Sequence, residues 1–141
     1  MEKASFEELG GRPILQAISK TFYDKVYNHH WLGNYFHTVP REHIEGQQVD
    51  FMQQALRGPK RYCGRPPLSA HMHINITEEL FALRENLLLE SMKENKASAE
   101  LISRWQMIEA AFKKSIVKNT LQDCKKRYHN DAILDFSPFV C

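Results

Sequence analysis

Residues 57–67, Arg-Gly-Pro-Lys-Arg-Tyr-Cys-Gly-Arg-Pro-Pro, hold two glycines and three prolines, a density that no continuous helix tolerates. This stretch predicts an extended loop that cuts the chain in two. Ahead of it, Leu15, Ile18, Phe22 and Val26 recur at steps of three and four within residues 13–27, the mark of an amphipathic helix with one buried stripe. Gly10-Gly11 supplies a flexible corner before that helix. Residues 28–36 read as a turn and a short helix. Pro40 then opens a second long helix, where its missing N–H costs nothing, and the pattern runs to about Leu56.

Beyond the loop, Thr77 followed by Glu78-Glu79 is a helix start: a capping hydroxyl, then acidic residues at the positive end of the helix dipole. Leu80, Leu83 and Leu87, with Phe81 and Leu88, give that helix a broad apolar face. Ser98 and Glu100 repeat the start signal, and Leu101, Trp105, Ile108, Phe112 and Ile116 form the stripe of the last long helix. No strand pattern of comparable strength and no internal repeat occurs, so the fold class is all-α. At 141 residues, 43% hydrophobic and 26% charged, the chain fits one domain that buries its core without disulfides.

A formal charge of +2 gives no grounds for a polyanionic partner, so nucleic acid is not implied. Cys63, Cys124 and Cys141 are too few and too scattered for a disulfide framework or a zinc knuckle, and point to a reducing cytoplasm. No run approaches the roughly 20 apolar residues of a membrane span. The start Met1-Glu2-Lys3-Ala4-Ser5 leads into Phe6-Glu7-Glu8 and carries no export signal.

Two features carry chemistry. Ala70-His71-Met72-His73-Ile74-Asn75-Ile76-Thr77 places a histidine pair at the joint between loop and helix, where a neutral imidazole makes a good axial ligand for haem iron. The second is Gln48, a polar residue on a helix face otherwise made of Ile44, Phe51 and Ala55, and an inward polar group needs a partner. With no Cys-x-x-Cys-His, a haem is held without thioether links. After Asn119 the chain turns basic at Lys125-Lys126-Arg127. It then becomes apolar at Ile133, Leu134, Phe136, Phe139 and Val140 around Pro138, as expected of a tail that packs on the body or on a partner.

Taken in order, Leu9-Gly10-Gly11, Phe22-Tyr23, Tyr35-Phe36, Gln48-Val49-Asp50-Phe51, Arg57-Gly58-Pro59, Tyr62-Cys63-Gly64 and Ala70-His71 before Ile76-Thr77 resemble the truncated haemoglobins, the first group most closely. The resemblance implies a two-over-two helical sandwich around haem b, with a short first helix, a globin domain over residues 1–118 and a C-terminal extension over 119–141. It implies His71 as the iron ligand. His73, pointing elsewhere, is expected to be exposed or at a haem edge. Tyr23 and Gln48 match the distal hydrogen-bond donors, Phe36 packs on the haem face, Phe22 presses on Tyr23, and Ile44 stands at the gate. Phe51 and Met52 line a gas route. Tyr62 lies near a propionate, with Lys60, Arg61 or Arg65 supplying positive charge, and His43 points away from the iron.

The same resemblance implies binding of oxygen, nitric oxide and carbon monoxide, and dioxygenation of nitric oxide to nitrate with an external electron-donating reductase. A gas sensor or carrier signalling to a partner protein is the alternative. A non-haem helical interaction module, with His71 an ordinary loop residue, is the third reading. The chain departs from the family pattern at Arg57-Gly58, where a second Gly-Gly corner is usual, at Arg84-Glu85, where aliphatic residues usually face the pocket, and in its tail.

Overall fold

The computed structural model describes residues 4–138; Met1, Glu2 and Lys3 at the start and Phe139, Val140 and Cys141 of the tail lie outside the described residues. Its helices are α1 (Gly11–Tyr27), α2 (Arg41–Ala55), α3 (Pro67–His71), α4 (Glu78–Glu94) and α5 (Ala99–Ile116), with 3-10 turns at Leu32–Phe36 and Leu121–Asp123. No strand forms among the described residues beyond isolated bridges, Ile74 with Leu134 and Ile76 with Val117. None of the helices is long and apolar enough to cross a membrane.

α1 is the hub. Its stripe of Leu15, Ile18, Phe22 and Val26 is at most 1% exposed and packs on both α2 and α4. Ser19, also buried, donates to the Glu45 carbonyl at 3.3 Å, so a small residue lets α2 come close. α4 and α5 begin as the capping pattern dictates: Thr77 accepts from the Leu80 N–H and Ser98 from the Leu101 N–H, each at 3.1 Å and each worth about 1 kcal/mol. Side-chain pairs then tie the two together, Arg84 to Glu109 at 2.8 Å and Lys113 to Glu78 at 2.9 Å.

The first helix implied by the resemblance is only a turn. The Leu9 N–H bonds the Ser5 carbonyl and the Gly11 N–H the Phe6 carbonyl, both at 3.0 Å, but Gly10 takes a φ of 117° and ends the winding. The turn still has a task, because it buries Phe6 and Leu9 against the main core.

Phe6 meets the chain at Gly58, the first glycine of the loop, where an added Cβ would fall 2.7 Å from the ring. Just before it, Arg57 adopts a φ of 67°. This left-handed residue ends α2: the Arg57 N–H bonds the Gln54 carbonyl and the Gly58 N–H bonds the Gln53 carbonyl. The missing second glycine thus leaves the corner's geometry intact at the cost of placing a side chain where L-residues are strained.

Two substitutions test this corner. Arg57→Gly relieves the strain and is expected to gain about 0.5–1 kcal/mol, raising the melting temperature by about 4 °C. Gly58→Ala drives a methyl into Phe6 and is expected to lose about 1–3 kcal/mol. Thermal and urea unfolding check both.

Candidate functional site

α2 presents two faces of different character. Val49, Met52 and Gln53 are buried on one. The stripe Ile44, Gln48, Phe51 and Ala55 is only half-buried, although it is as apolar apart from Gln48. Gln53 owes its burial to full pairing, accepting from Arg12 at 3.0 Å and donating to the Pro59 carbonyl at 2.7 Å, which pins the start of the loop.

Aromatic rings enclose Tyr23. Phe22 lies 4.9 Å away centroid to centroid, Phe36 5.9 Å and Tyr27 6.2 Å, all edge to face. Tyr23 is 3% exposed, and its hydroxyl makes no hydrogen bond to any described residue. The other partly or fully buried tyrosines are satisfied: Tyr27 donates to Val39, Tyr35 to Phe136 and Tyr62 to Arg65. Among the described residues, the fully buried side-chain polar atoms without a hydrogen-bond partner are His73 Nδ1 and Asn75 Oδ1. The Gln48 amide likewise bonds no described residue.

His71 closes α3. Its Nδ1 lies 2.7 Å from the Pro67 carbonyl oxygen. A carbonyl only accepts, so Nδ1 carries the proton and Nε2 keeps a free lone pair. Burial pushes the imidazole pKa down to about 4, so the ring is neutral near pH 7. The positive charge of Arg84 favours the Tyr23 phenolate and disfavours protonation of His71, in both cases a smaller effect than burial.

The remaining sequence-derived residues fall as follows. Phe51 packs edge to face on Tyr62 at 5.2 Å and on Phe112 at 5.9 Å. The Tyr62 hydroxyl is engaged within its own loop by the Arg65 carbonyl at 2.5 Å. His43 is exposed, and Met52 is buried in the core. His73 departs from expectation: it is 6% exposed, its Nδ1 without a hydrogen-bond partner among the described residues. The tail is responsible, since Leu134 pairs with the backbone there.

Sequence reasoning missed Glu109. It is 2% exposed in the middle of the α5 stripe, bonded to Arg84 by one oxygen and to the Trp105 indole by the other at 3.3 Å. The Arg84 guanidinium also lies 5.4 Å from the Phe22 ring centroid. The available signal was Arg84 itself, a cation in a leucine-rich helix, with Glu109 one turn after Trp105.

Among the described residues no three His, Cys, Asp or Glu side chains gather around a metal-sized space. A single free imidazole nitrogen therefore suits a metal that brings its other ligands with it, as the iron of a haem does. Fold and donor set together define a globin of the two-over-two kind.

Comparison with known proteins agrees. The model of the family described as Bacterial-like globin matches residues 4–118. A group 1 truncated hemoglobin of Tetrahymena thermophila is 34% identical over 120 residues, covering 84% of this chain and 92% of that protein. GlbN of Mycolicibacterium paratuberculosis, also group 1, is 28% identical over 98 residues, covering 70% and 72%. The Fe(III) crystal structure of truncated hemoglobin from Tetrahymena pyriformis superposes with a TM-score of 0.72 at 26% identity, over 81% of this chain and 97% of that one. The cyanomet 2/2 hemoglobin of Synechococcus, with covalently attached heme, gives 0.72 at 25%, over 81% and 98%. The chain belongs to the truncated haemoglobins, group 1.

Two predictions follow from the buried polar groups. Arg84→Leu strands the Glu109 carboxylate and is expected to cost about 3 kcal/mol, while Arg84→Leu with Glu109→Leu recovers most of it; urea unfolding of the three variants measures the coupling. Burial also raises the Tyr23 pKa above the usual phenol range. Because the folded value exceeds the unfolded value of about 10, its contribution to stability is complete below that pH and lost as pH rises through the alkaline range. Absorbance titration of the apoprotein is expected to show a phenol that ionises only on unfolding and is missing from Tyr23→Phe.

Proposed function

We propose that this chain holds haem b through His71 Nε2, binds oxygen at the ferrous iron under Tyr23 and Gln48, and removes nitric oxide by dioxygenation. The observation that carries the reading is the His71 imidazole, its Nδ1 held by the Pro67 carbonyl so that Nε2 is left to ligate, together with a Tyr23 phenol that is 3% exposed within an aromatic cage. When bound, haem supplies reversible binding of oxygen, nitric oxide or carbon monoxide, and the net conversion of nitric oxide, oxygen and one electron from an external reductase to nitrate.

The protein's own groups have three tasks. The Pro67 carbonyl fixes the His71 tautomer and ring direction, which makes the ring nitrogen facing the iron the basic one. The Tyr23 hydroxyl, neutral because burial disfavours the phenolate, would donate a hydrogen bond to a polar gas held by the haem, and the Gln48 amide would add a second donor. Phe22, Phe36, Ile44 and Phe51 keep water away from that charge, which slows oxidation of the loaded protein. Among the described residues Cys63 and Cys124 are free thiols, in keeping with a reducing cytoplasmic setting.

Tyr23→Phe is expected to raise the oxygen dissociation rate roughly ten- to a hundredfold, since a hydrogen bond to a charged acceptor is worth about 1.5–3 kcal/mol. Adding Gln48→Leu raises it again. Stopped-flow displacement of oxygen by carbon monoxide measures both, and unchanged rates would reject the distal roles. Loss of the iron–imidazole signature in His71→Ala tests the ligand.

A further inference from the structure

α3 is one turn long, far too short to hold its own position, and the segment that follows it has no helix or sheet to pair its backbone. Its polar groups must therefore be satisfied from elsewhere. The His71 carbonyl accepts from the Ile74 N–H at 3.0 Å and from the Lys118 ammonium at 2.8 Å, the Met72 carbonyl from the Lys125 N–H at 2.7 Å and the His73 carbonyl from the Leu134 N–H at 2.9 Å. The Asn75 N–H donates to the Leu134 carbonyl and the Ile76 carbonyl accepts from the Lys118 N–H, both at 2.8 Å. Three successive carbonyls starting at His71 are thus held by residues at or beyond the end of the family's matched span, residue 118.

Lys118 is unusual in itself. It is 8% exposed, and its ammonium bonds two backbone carbonyls, those of His71 and Ile116, with no carboxylate in ion-pair range among the described residues. A buried cation spent on a peptide carbonyl holds that carbonyl more firmly than a neutral donor does. Further along, the tail reaches the opposite corner. The Phe136 carbonyl accepts from the Trp31 indole at 2.8 Å, its N–H donates to the Tyr35 hydroxyl at 3.0 Å, and its ring packs on Tyr35 at 5.0 Å. The extension ties the His71 segment to the corner that carries Phe36, the ring beside Tyr23.

We infer that Lys118 and the extension over residues 121–136 are positioning elements for the iron ligand: they fix the His71 backbone, and through it the plane and reach of the imidazole. This rests on the haem reading above. Lys118 touches neither iron nor gas; it acts through His71.

The test uses the full-length, haem-loaded protein. Lys118→Met keeps the length but removes the donor, Lys118→Arg keeps a charged donor, and Leu134→Pro removes the N–H that bonds the His73 carbonyl, with Leu134→Ala as the control for the lost side chain. The readouts are the iron–histidine stretching band of the ferrous ligand-free protein by resonance Raman and the rate of haem transfer to excess apomyoglobin. Lys118→Met and Leu134→Pro are expected to shift or broaden the band and speed haem loss on the order of tenfold, with Lys118→Arg between them and the parent. A purely structural role would lower the melting temperature of these variants and leave the band in place, and that result overturns the inference. If the parent lacks an iron–histidine band, or His71→Ala retains it, the haem reading itself fails. If Lys118→Met does not fold, the band in Leu134→Pro decides the matter.

Discussion

The hydrogen bond from His71 Nδ1 to the Pro67 carbonyl is the contact on which the site depends. Residues four apart share one face of a helix, so even a single turn suffices to bring that ring onto that oxygen. Pro67 is suited to open such a turn, because its fixed φ is helical and it has no N–H to leave unsatisfied. The same loop composition that forbids a long helix therefore builds the one short helix the ligand requires. Burial completes the arrangement by keeping the ring neutral, with its lone pair on Nε2.

α1 and α2 do not use all their apolar surface on each other. Val49 and Met52 go to the core with α1's stripe. The Ile44, Gln48 and Phe51 face stays half-buried, and Tyr23 leaves α1's packed side with its hydroxyl unspent.

Much of this was legible in the sequence, and the failures have physical causes. The four long helices follow from periodicity and caps, and Thr77 and Ser98 cap where the pattern places them. Phe22, Tyr23 and Phe36 come together as the ordered motifs imply. The first helix is a turn because Gly10 takes a φ of 117°, a backbone conformation that ends the winding and in which an added Cβ would strike Ile14. α3 went unread because Pro66-Pro67 signals both the end of one element and the start of the next. His73 was expected to be exposed or at a haem edge; it is 6% exposed, and its carbonyl is bonded by the Leu134 N–H, sixty-one residues later in the chain. Periodicity describes the face a residue occupies, and carries no information about what distant segment lies over it.

Glu109 shows the same limit from the opposite side, and its placement makes chemical sense once its partners are known. A lone carboxylate at that depth would be untenable; with Arg84 on one oxygen and the Trp105 indole on the other it is satisfied. Arg84 pays less desolvation than its partner, since its side chain keeps 24% of its exposure against 3% for Glu109. The pair's effect on Tyr23 is divided: the guanidinium favours the phenolate, the carboxylate opposes it, and burial outweighs both. The phenol therefore stays protonated, which a hydrogen-bond donor must be. An aliphatic residue at position 84 would leave that outcome unchanged in sign, so the pair is compatible with the donor role of Tyr23 without being its cause, and the donor's character comes from the apolar cage of Phe22, Tyr27 and Phe36.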